Sequence, residues 1–408
     1  MKNNVFNGFA DEFQVDLIET WESFVELKQT WEAVYEQDGQ SGYFLSWAWL
    51  AEVFKANPNR WRVLAVKSNE DSSDYVCFFP QRTKVRWSVS QQKFKSELEA
   101  GGKLSWAQYT GFVCLPSWEE RAIAALASAL EKLPWAGLSI KNIPRDRRLD
   151  LFLAGFATDD YIISHHEYLI NSGTVDSLIC PYVPLPKDYE SYLQLRVSSN
   201  TRQKMRRFWR QFETAEDLRI TDTTAETFDR DITILLNMWF KTWSPSRGKS
   251  SAEDAIEKYI EILEQSHSLG AVNIPILWRG DQPLGALGNI VDRHKRHLYF
   301  IVAGRDESVV DPNVGLLLHT HNIQWAINNG IETYDFCHGN EPYKYSLGAT
   351  DQRLANISII RSSKSGMGHF DPAHIGKAMK EAIELLDSDH LRDAKNAFRQ
   401  IQTLLPAK

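Results

Sequence analysis

The chain has 408 residues, 43% hydrophobic and 12% aromatic, with a formal net charge of −7. This length and apolar content rule out a disordered chain and suffice for two domains with cores of their own, while the acidic balance argues against a protein that coats nucleic acid. Four scattered cysteines, Cys77, Cys114, Cys180 and Cys337, show neither metal-ligand spacing nor a disulfide framework.

The N-terminus lacks a continuous apolar segment and no later window reaches the length of a bilayer, so the expectation is a cytoplasmic protein with no membrane span. Trp21 to Tyr35 and Trp47 to Phe54 have helical spacing of their apolar residues. Trp61 to Val66 and Tyr75 to Pro80 read as strands around a polar hairpin loop, Asn69 to Asp74, and Leu104 to Cys114 is a further strand region. An alanine-rich helix, Trp118 to Leu133, and a strand, Leu138 to Ile143, complete a mixed α/β half.

Cys180 to Pro186, with three prolines, forces an extended path and is taken as the junction. The expected domains are 1–180, 181–363 and a helical extension, 364–408. Beyond the junction, Arg202 to Phe212 is an amphipathic helix with Met205, Phe208, Trp209 and Phe212 on one side and Arg202, Arg206 and Arg210 at four-residue steps along its flank. That basic face reads equally as a solvated surface or as a site for phosphates. Helices Phe228 to Trp243 and Ala252 to Gln265 follow, separated by Ser244 to Gly248, then strands Val272 to Trp278, Leu284 to Val291 and Leu298 to Ala303. Gly285 and Gly288 mark a bulge or a close backbone approach.

The stretch from Asp311 to Ala349 carries the densest signals. A Pro-Asn turn and Gly315 open a helix that is apolar on two faces, and Asn329-Gly330 closes it. Within it His319 and His321 read as packing residues. Ile331 to Cys337 reads as a strand, and the loop beyond it holds His338, Asn340, Glu341, Tyr343 and Lys344. Four ionisable groups in seven residues beside an apolar strand are costly to bury without use. Free amides at the start of the Gly315 helix, at Val314, Gly315 and Leu316, suit a phosphate. Cys337 is a nucleophile only nominally, and no metal site emerges.

Asp335 to Lys344, with Gly339, Glu341, Tyr343 and Lys344 in place, resembles the end of the acyltransferase domain of CelD/BcsL-type GNAT N-acyltransferases. The Tyr343-Lys344 pair also resembles the aromatic-Lys pair of the more distant Fem-type aminoacyl transferases. Phe44 to Phe54, the hairpin, Gly111-Phe112 and the proline-rich junction are similar to the remainder of the first family. The resemblance implies tandem GNAT-like α/β domains, each a twisted mixed sheet flanked by helices, with a degenerate first half. It further implies transfer of an acetyl or longer acyl group from acetyl-CoA or another acyl-CoA to an amine or hydroxyl acceptor, in polysaccharide or cell-envelope metabolism, with small-molecule substrates and neither DNA nor metal. Glu341 is then the base, Lys344 or a backbone amide the oxyanion donor, and Tyr343 the proton donor to the leaving thiolate. Val314, Gly315, Leu316, Arg202 and Arg206 would hold the donor's phosphates. A Fem-type transfer from aminoacyl-tRNA and a non-catalytic glycan- or partner-binding role are the alternatives.

Overall fold

The computed structural model describes residues 5–7, 13–68, 74–171, 173–309, 313–362 and 368–404. The hairpin loop at 69–73 and the Asp311-Pro312 turn lie outside them. The chain forms two compact units, Met1–Glu167 with Leu354–Lys408, and Tyr168–Arg353.

The first unit opens with β1 (Val5–Asn7), β2 (Phe13–Ile18), α1 (Trp21–Glu26), α2 (Lys28–Gln37), α3 (Trp47–Ala56), β3 (Trp61–Ser68), β4 (Tyr75–Ser88), β5 (Lys93–Ala100) and β6 (Val113–Cys114). It continues with α4 (Glu119–Glu131), β7 (Gly137–Pro144), α5 (Arg147–Ala154) and β8 (Tyr161–His166). The second unit contains β9 (Leu169–Ile170), β10 (Val175–Asp176), β11 (Ile179–Pro184), α6 (Tyr189–Leu195), α7 (Ser199–Thr214), β12 (Leu218–Thr221), α8 (Phe228–Arg247) and α9 (Lys249–Ser268). After these come β13 (Val272–Asn273), β14 (Ile276–Arg279), β15 (Gln282–Asp292), β16 (His297–Arg305), α10 (Val314–Asn328), β17 (Thr333–Asp335) and α11 (Pro342–Ser346). β18 (Thr350–Arg361) leads back into the first unit, which α12 (Ile375–Asp387) and α13 (Leu391–Leu404) complete.

Both units are mixed α/β and share one connectivity. In the first, β2, β3, β4 and β5 run antiparallel, and β5 then pairs in parallel with β7 across the connecting helix α4. In the second, β14, β15 and β16 run antiparallel, and β16 pairs in parallel with β17 across α10. A parallel step needs such a crossover, because a hairpin cannot reverse the chain twice. The last antiparallel neighbour is borrowed from elsewhere in the chain in each case: residues 354–360 of β18 beside β7, and β11 beside β17.

In the first unit α4 packs Ala122, Ile123, Leu126 and Leu130 over Leu64, Val66, Phe79 and Leu98. Beside this core, Arg148 of α5 is held by Asp38 at 2.8 and 2.9 Å and by Glu119 at 2.9 Å, all three buried. α12 and α13 cover Val85, Trp87 and Phe94 with Ala378, Ala382, Ala397 and Ile401.

Several elements differ from the sequence expectation. The helix expected over 21–35 is two, because Leu27 caps the end of α1 and begins α2. Of 104–114 only Val113–Cys114 is a strand, since the Thr110 amide bonds the Asn142 carbonyl instead of a ladder neighbour. α8 runs on through Pro245 to Arg247 and ends where Gly248 adopts φ 83°. The proline-rich segment, expected to be extended and taken as the junction, is strand β11, inside the second unit. Pro181 lacks an N–H but its carbonyl accepts from the Phe336 amide at 2.9 Å, so it still serves the ladder.

Gly288 and Asn289 sit at a shift of register between β15 and β16. A Cβ on Gly285 would lie 2.6 Å from Val314 Cγ1, and one on Gly304 2.4 Å from the Leu235 carbonyl oxygen. The close approaches are therefore to helices: α10 and α8 lie directly on bare backbone.

Candidate functional site

β16 is nine residues long, yet only His297–Tyr299 pair with β17. Beyond that point the two parallel strands have no ladder bonds between them, and β17 ends at Asp335. The crossover helix runs antiparallel to both, which puts its N-terminus at the end where they part. In open α/β sheets this is where ligands are bound.

At that end Val314 is buried against Gly285, while Gly315 and Leu316 are half-buried and a Cβ on Gly315 would meet nothing within 4 Å. Asn313 makes no side-chain cap bond to this first turn, the end of a helix at which amides can meet an anion. At the other end Gly330, at φ 71°, closes the helix with amide bonds from Gly330 to Ile327 and from Ile331 to Ala326.

The loop after β17 is wound around Lys344. Cys337 and Gly339 both take left-handed conformations, with φ 52° and 97°. These turns direct the carbonyls of Phe336, His338 and Gly339 at the Lys344 ammonium, at 3.3, 2.8 and 2.7 Å, and Glu341 Oε2 lies 2.9 Å away. Lys344 is 1% exposed. Three protons meet three carbonyls, with the Glu341 carboxylate beside them as an ion pair, so the ammonium has none to spare. The loop is pinned from outside as well: the Gly339 amide bonds the Ile179 carbonyl at 2.9 Å, and Asn340 Oδ1 accepts from the Asp176 amide at 2.9 Å.

Glu341 keeps 28% of its side chain exposed. Tyr343, on α11, is 42% exposed, yet the surroundings of its hydroxyl raise its pKa, through burial first and the Glu341 charge second. It stays protonated across the neutral range. Its ring stacks on His319 of α10, with centroids 5.5 Å apart and planes 28° from parallel. His319 follows Gly315 by four residues, one turn further along the same helix face. The structure thus brings Glu341, Tyr343 and Lys344 together, and Tyr343 to the first turns of the helix that carries Val314, Gly315 and Leu316.

Arg202 and Arg206 lie on α7, which packs against α10. Arg202 Nη1 bonds the Leu193 carbonyl at 3.2 Å, and the Arg206 guanidinium pairs with Glu190. Their neighbour Tyr189 reaches Thr320 and Gln324, midway along α10. Arg206 is half-exposed and the pair is on the surface. Cys337 is buried, and His338, adjacent to it in sequence, approaches Cys180 Sγ at 3.7 Å with Nδ1, which also bonds the Ser177 carbonyl at 2.8 Å. No cluster of residues able to hold a metal occurs among the described residues. Among them, too, no helix is long and apolar enough to cross a membrane.

His319, read from the sequence as a packing residue, is packed, and its contact with Tyr343 also sets it beside the candidate site, which sequence reasoning does not foresee. It is 5% exposed, lies against Phe300, Tyr334, Phe336 and Tyr343, and meets the Tyr334 hydroxyl with Nδ1 at 2.8 Å. Burial, then the Lys344 charge, pushes its pKa down to about 3, so the ring is neutral. The available signal is Asn322, one turn further on, which continues a polar stripe from His319 along the helix.

Residues 199–345, within the second unit, are similar to the Acetyltransferase (GNAT) domain family. Among solved structures, that of FemX is 11% identical with a TM-score of 0.55, covering 83% of this chain and 96% of FemX, a likeness of fold. A tandem GNAT protein from the clavulanic acid biosynthesis pathway is 9% identical with a TM-score of 0.46, covering 84% of this chain and 98% of its own. L-PGS from Bacillus licheniformis is 11% identical with a TM-score of 0.45, covering 85% and 93%. No curated protein matches the sequence significantly.

Proposed function

We propose that the chain is an acyl-CoA-dependent N- or O-acyltransferase of the CelD/BcsL type, moving an acetyl or longer acyl group to an amine or hydroxyl acceptor of cell-envelope or polysaccharide metabolism. The observation that carries this reading is the parting of β16 and β17 beside the N-terminus of α10. A thioester with a long arm and a pyrophosphate matches that geometry: the arm enters between the strands and the phosphates meet the amides of Val314, Gly315 and Leu316.

Within this reading Glu341, partly exposed, takes the proton from the acceptor. Tyr343, held protonated, supplies one to the departing thiolate. Lys344 contributes a fixed positive charge and the shape of the loop, since its protons are already committed. Arg206 meets the donor phosphates only by leaving Glu190.

Calorimetric titration with acetyl-CoA, longer acyl-CoAs and free CoA tests the reading. Binding of a CoA ester, weakened when a side chain is placed on the open turn by Gly315→Glu, is the expected result. A protein that binds no CoA ester, or whose binding is indifferent to Gly315→Glu, has a different donor.

A further inference from the structure

We infer that His319 Nε2–H is the hydrogen-bond donor that holds the acyl carbonyl oxygen as it becomes an oxyanion, with the proton fixed on that nitrogen by a buried chain through Tyr334, Asn322 and Asn289. The inference rests on the acyltransferase reading above.

The proton positions follow from a single backbone oxygen. The carbonyl of Asn273 only accepts, so the Asn289 group 3.1 Å from it is the amide nitrogen, and Asn289 Oδ1 is the atom that faces Asn322. It accepts from Asn322 Nδ2 at 3.0 Å, which sets the second amide. The other proton of Asn322 Nδ2 is directed at the Tyr334 hydroxyl oxygen, 3.1 Å away. With that oxygen accepting, its own proton goes to the remaining neighbour, His319 Nδ1, at 2.8 Å. Nδ1 is therefore an acceptor, and a neutral ring carries its proton on Nε2. Asn289, Asn322 and Tyr334 are fully buried.

Nε2 has no hydrogen-bond partner among the described residues, although the side chain is only 5% exposed. A donor left open on an otherwise satisfied chain, at a side chain that keeps only a small opening, is available to something the protein binds. Its position suits the reacting carbonyl: one helical turn from the first-turn amides of α10, against Phe300 just where β16 leaves β17, and stacked on Tyr343. Lys344 has no proton left for this task. Held neutral, the imidazole stays a donor over the physiological range and cannot be mistaken for a base at Nδ1.

In the step itself the acceptor's lone pair forms the new C–N or C–O bond, and the carbonyl π pair moves onto oxygen, held by Nε2–H without proton transfer. Collapse restores the double bond and breaks the C–S bond. The acceptor's proton leaves to Glu341, and the thiolate takes one from Tyr343.

Two measurements test this. Nitrogen-15 NMR of the imidazoles should show His319 protonated at Nε2 and bare at Nδ1, and Tyr334→Phe, which removes the donor to Nδ1, should release the ring to a mixture of tautomers. Infrared difference spectra of bound acetyl-CoA labelled with carbon-13 at the thioester carbonyl should show its stretch lowered relative to free acetyl-CoA. His319→Leu should abolish that lowering with the dissociation constant changed less than threefold, while His319→Gln, whose amide N–H reaches the same region, should keep most of it. A proton found on Nδ1 overturns the inference, as does a carbonyl stretch equally lowered in His319→Leu; His319→Gln and Tyr334→Phe keep the size of the buried group should the leucine variant not fold. Failure of the wild-type protein to bind acetyl-CoA would overturn the acyl-CoA reading itself, whereas binding with an unshifted carbonyl sinks this assignment alone.

Discussion

The ring of His319 stacks on that of Tyr343 at 5.5 Å, and this contact joins the first turns of α10 to the loop that Lys344 organises. The helix and the loop come from opposite sides of β17, so neither alone makes a site. Their junction is aromatic on both sides, with Phe300 and Phe336 completing the surroundings of His319. Such an enclosure keeps the imidazole neutral and excludes water from whatever enters between β16 and β17.

The neutral state of His319 has a consequence for acid stability. Its pKa is about 3 in the folded protein against an ordinary value of 6.5, so between these limits the unfolded chain binds the extra proton. Stability from this group is therefore fully present above pH 6.5 and is lost as pH falls toward 3, at up to about 1.4 kcal/mol per pH unit. Urea unfolding of wild type and His319→Gln at pH 7 and pH 4.5 should show the difference between them moving in favour of the variant at the lower pH. A difference independent of pH means the folded ring takes up its proton as the unfolded one does and is not held neutral.

Arg206 and Glu190 form an exposed pair. Arg206→Ala should change stability by no more than about 0.5–1 kcal/mol. If the basic face of α7 meets the donor phosphates, the same change weakens acetyl-CoA binding and flattens its salt dependence. Titrations at low and high salt that match wild type leave α7 as a solvated face.

Gly285 carries the first turn of α10. An added methyl would sit 2.6 Å from Val314 Cγ1 and 3.3 Å from Leu318 Cδ1, so Gly285→Ala must push the helix start outward. The expected loss is about 1–3 kcal/mol, accompanied by weaker acetyl-CoA binding because the amides move with the turn. Chemical denaturation and calorimetry on the one variant check both parts.

α10 is legible in the sequence because its signals are local: apolar spacing along its length and Asn329-Gly330 to stop it. β18 is not, because its twelve residues begin with Thr350, Asp351, Gln352 and Arg353, whose polarity matches a loop until β11 is there to pair with them. The group Glu341, Tyr343 and Lys344 is legible as an unusual density of ionisable residues. What the spacing does not reveal is that Lys344 points inward. That depends on left-handed backbone at Cys337 and Gly339, and the first of these is no glycine. His319 is hidden for a similar reason: its meaning lies in Tyr334, fifteen residues later, and in Asn289 on another strand.

In the first unit, Arg148, Asp38 and Glu119 are buried and mutually hydrogen-bonded. Asp38→Ala strands a guanidinium and leaves the Cys114 amide, 2.9 Å from Asp38 Oδ2, without its acceptor. A loss of about 3–5 kcal/mol is expected on denaturation, with acetyl-CoA affinity unchanged in the protein that remains folded. Altered affinity at full stability would place this cluster in the binding function.

Lys344 separates a building role from a chemical one. From sequence alone Lys344→Met should lower turnover far more than stability, because a charge needed for an oxyanion costs little at rest. The buried ammonium changes that expectation: its removal leaves the carbonyls of Phe336, His338 and Gly339 without their donor and Glu341 without its cation. Each stranded acceptor costs of the order of 1–3 kcal/mol, so Lys344→Met should lose about 3–5 kcal/mol in urea unfolding, and hydrogen exchange at 335–341 should quicken as the loop loosens. Lys344→Arg should not restore it, since a planar fork cannot replace a point donor among converging carbonyls. Glu341→Gln, which removes the charge of the ion pair but none of the three carbonyl acceptors, should be much milder in stability while slowing acetyl transfer from acetyl-CoA. Wild-type stability and exchange in Lys344→Met, with acetyl transfer lost, would instead return the lysine to the chemistry and leave the loop to hold itself.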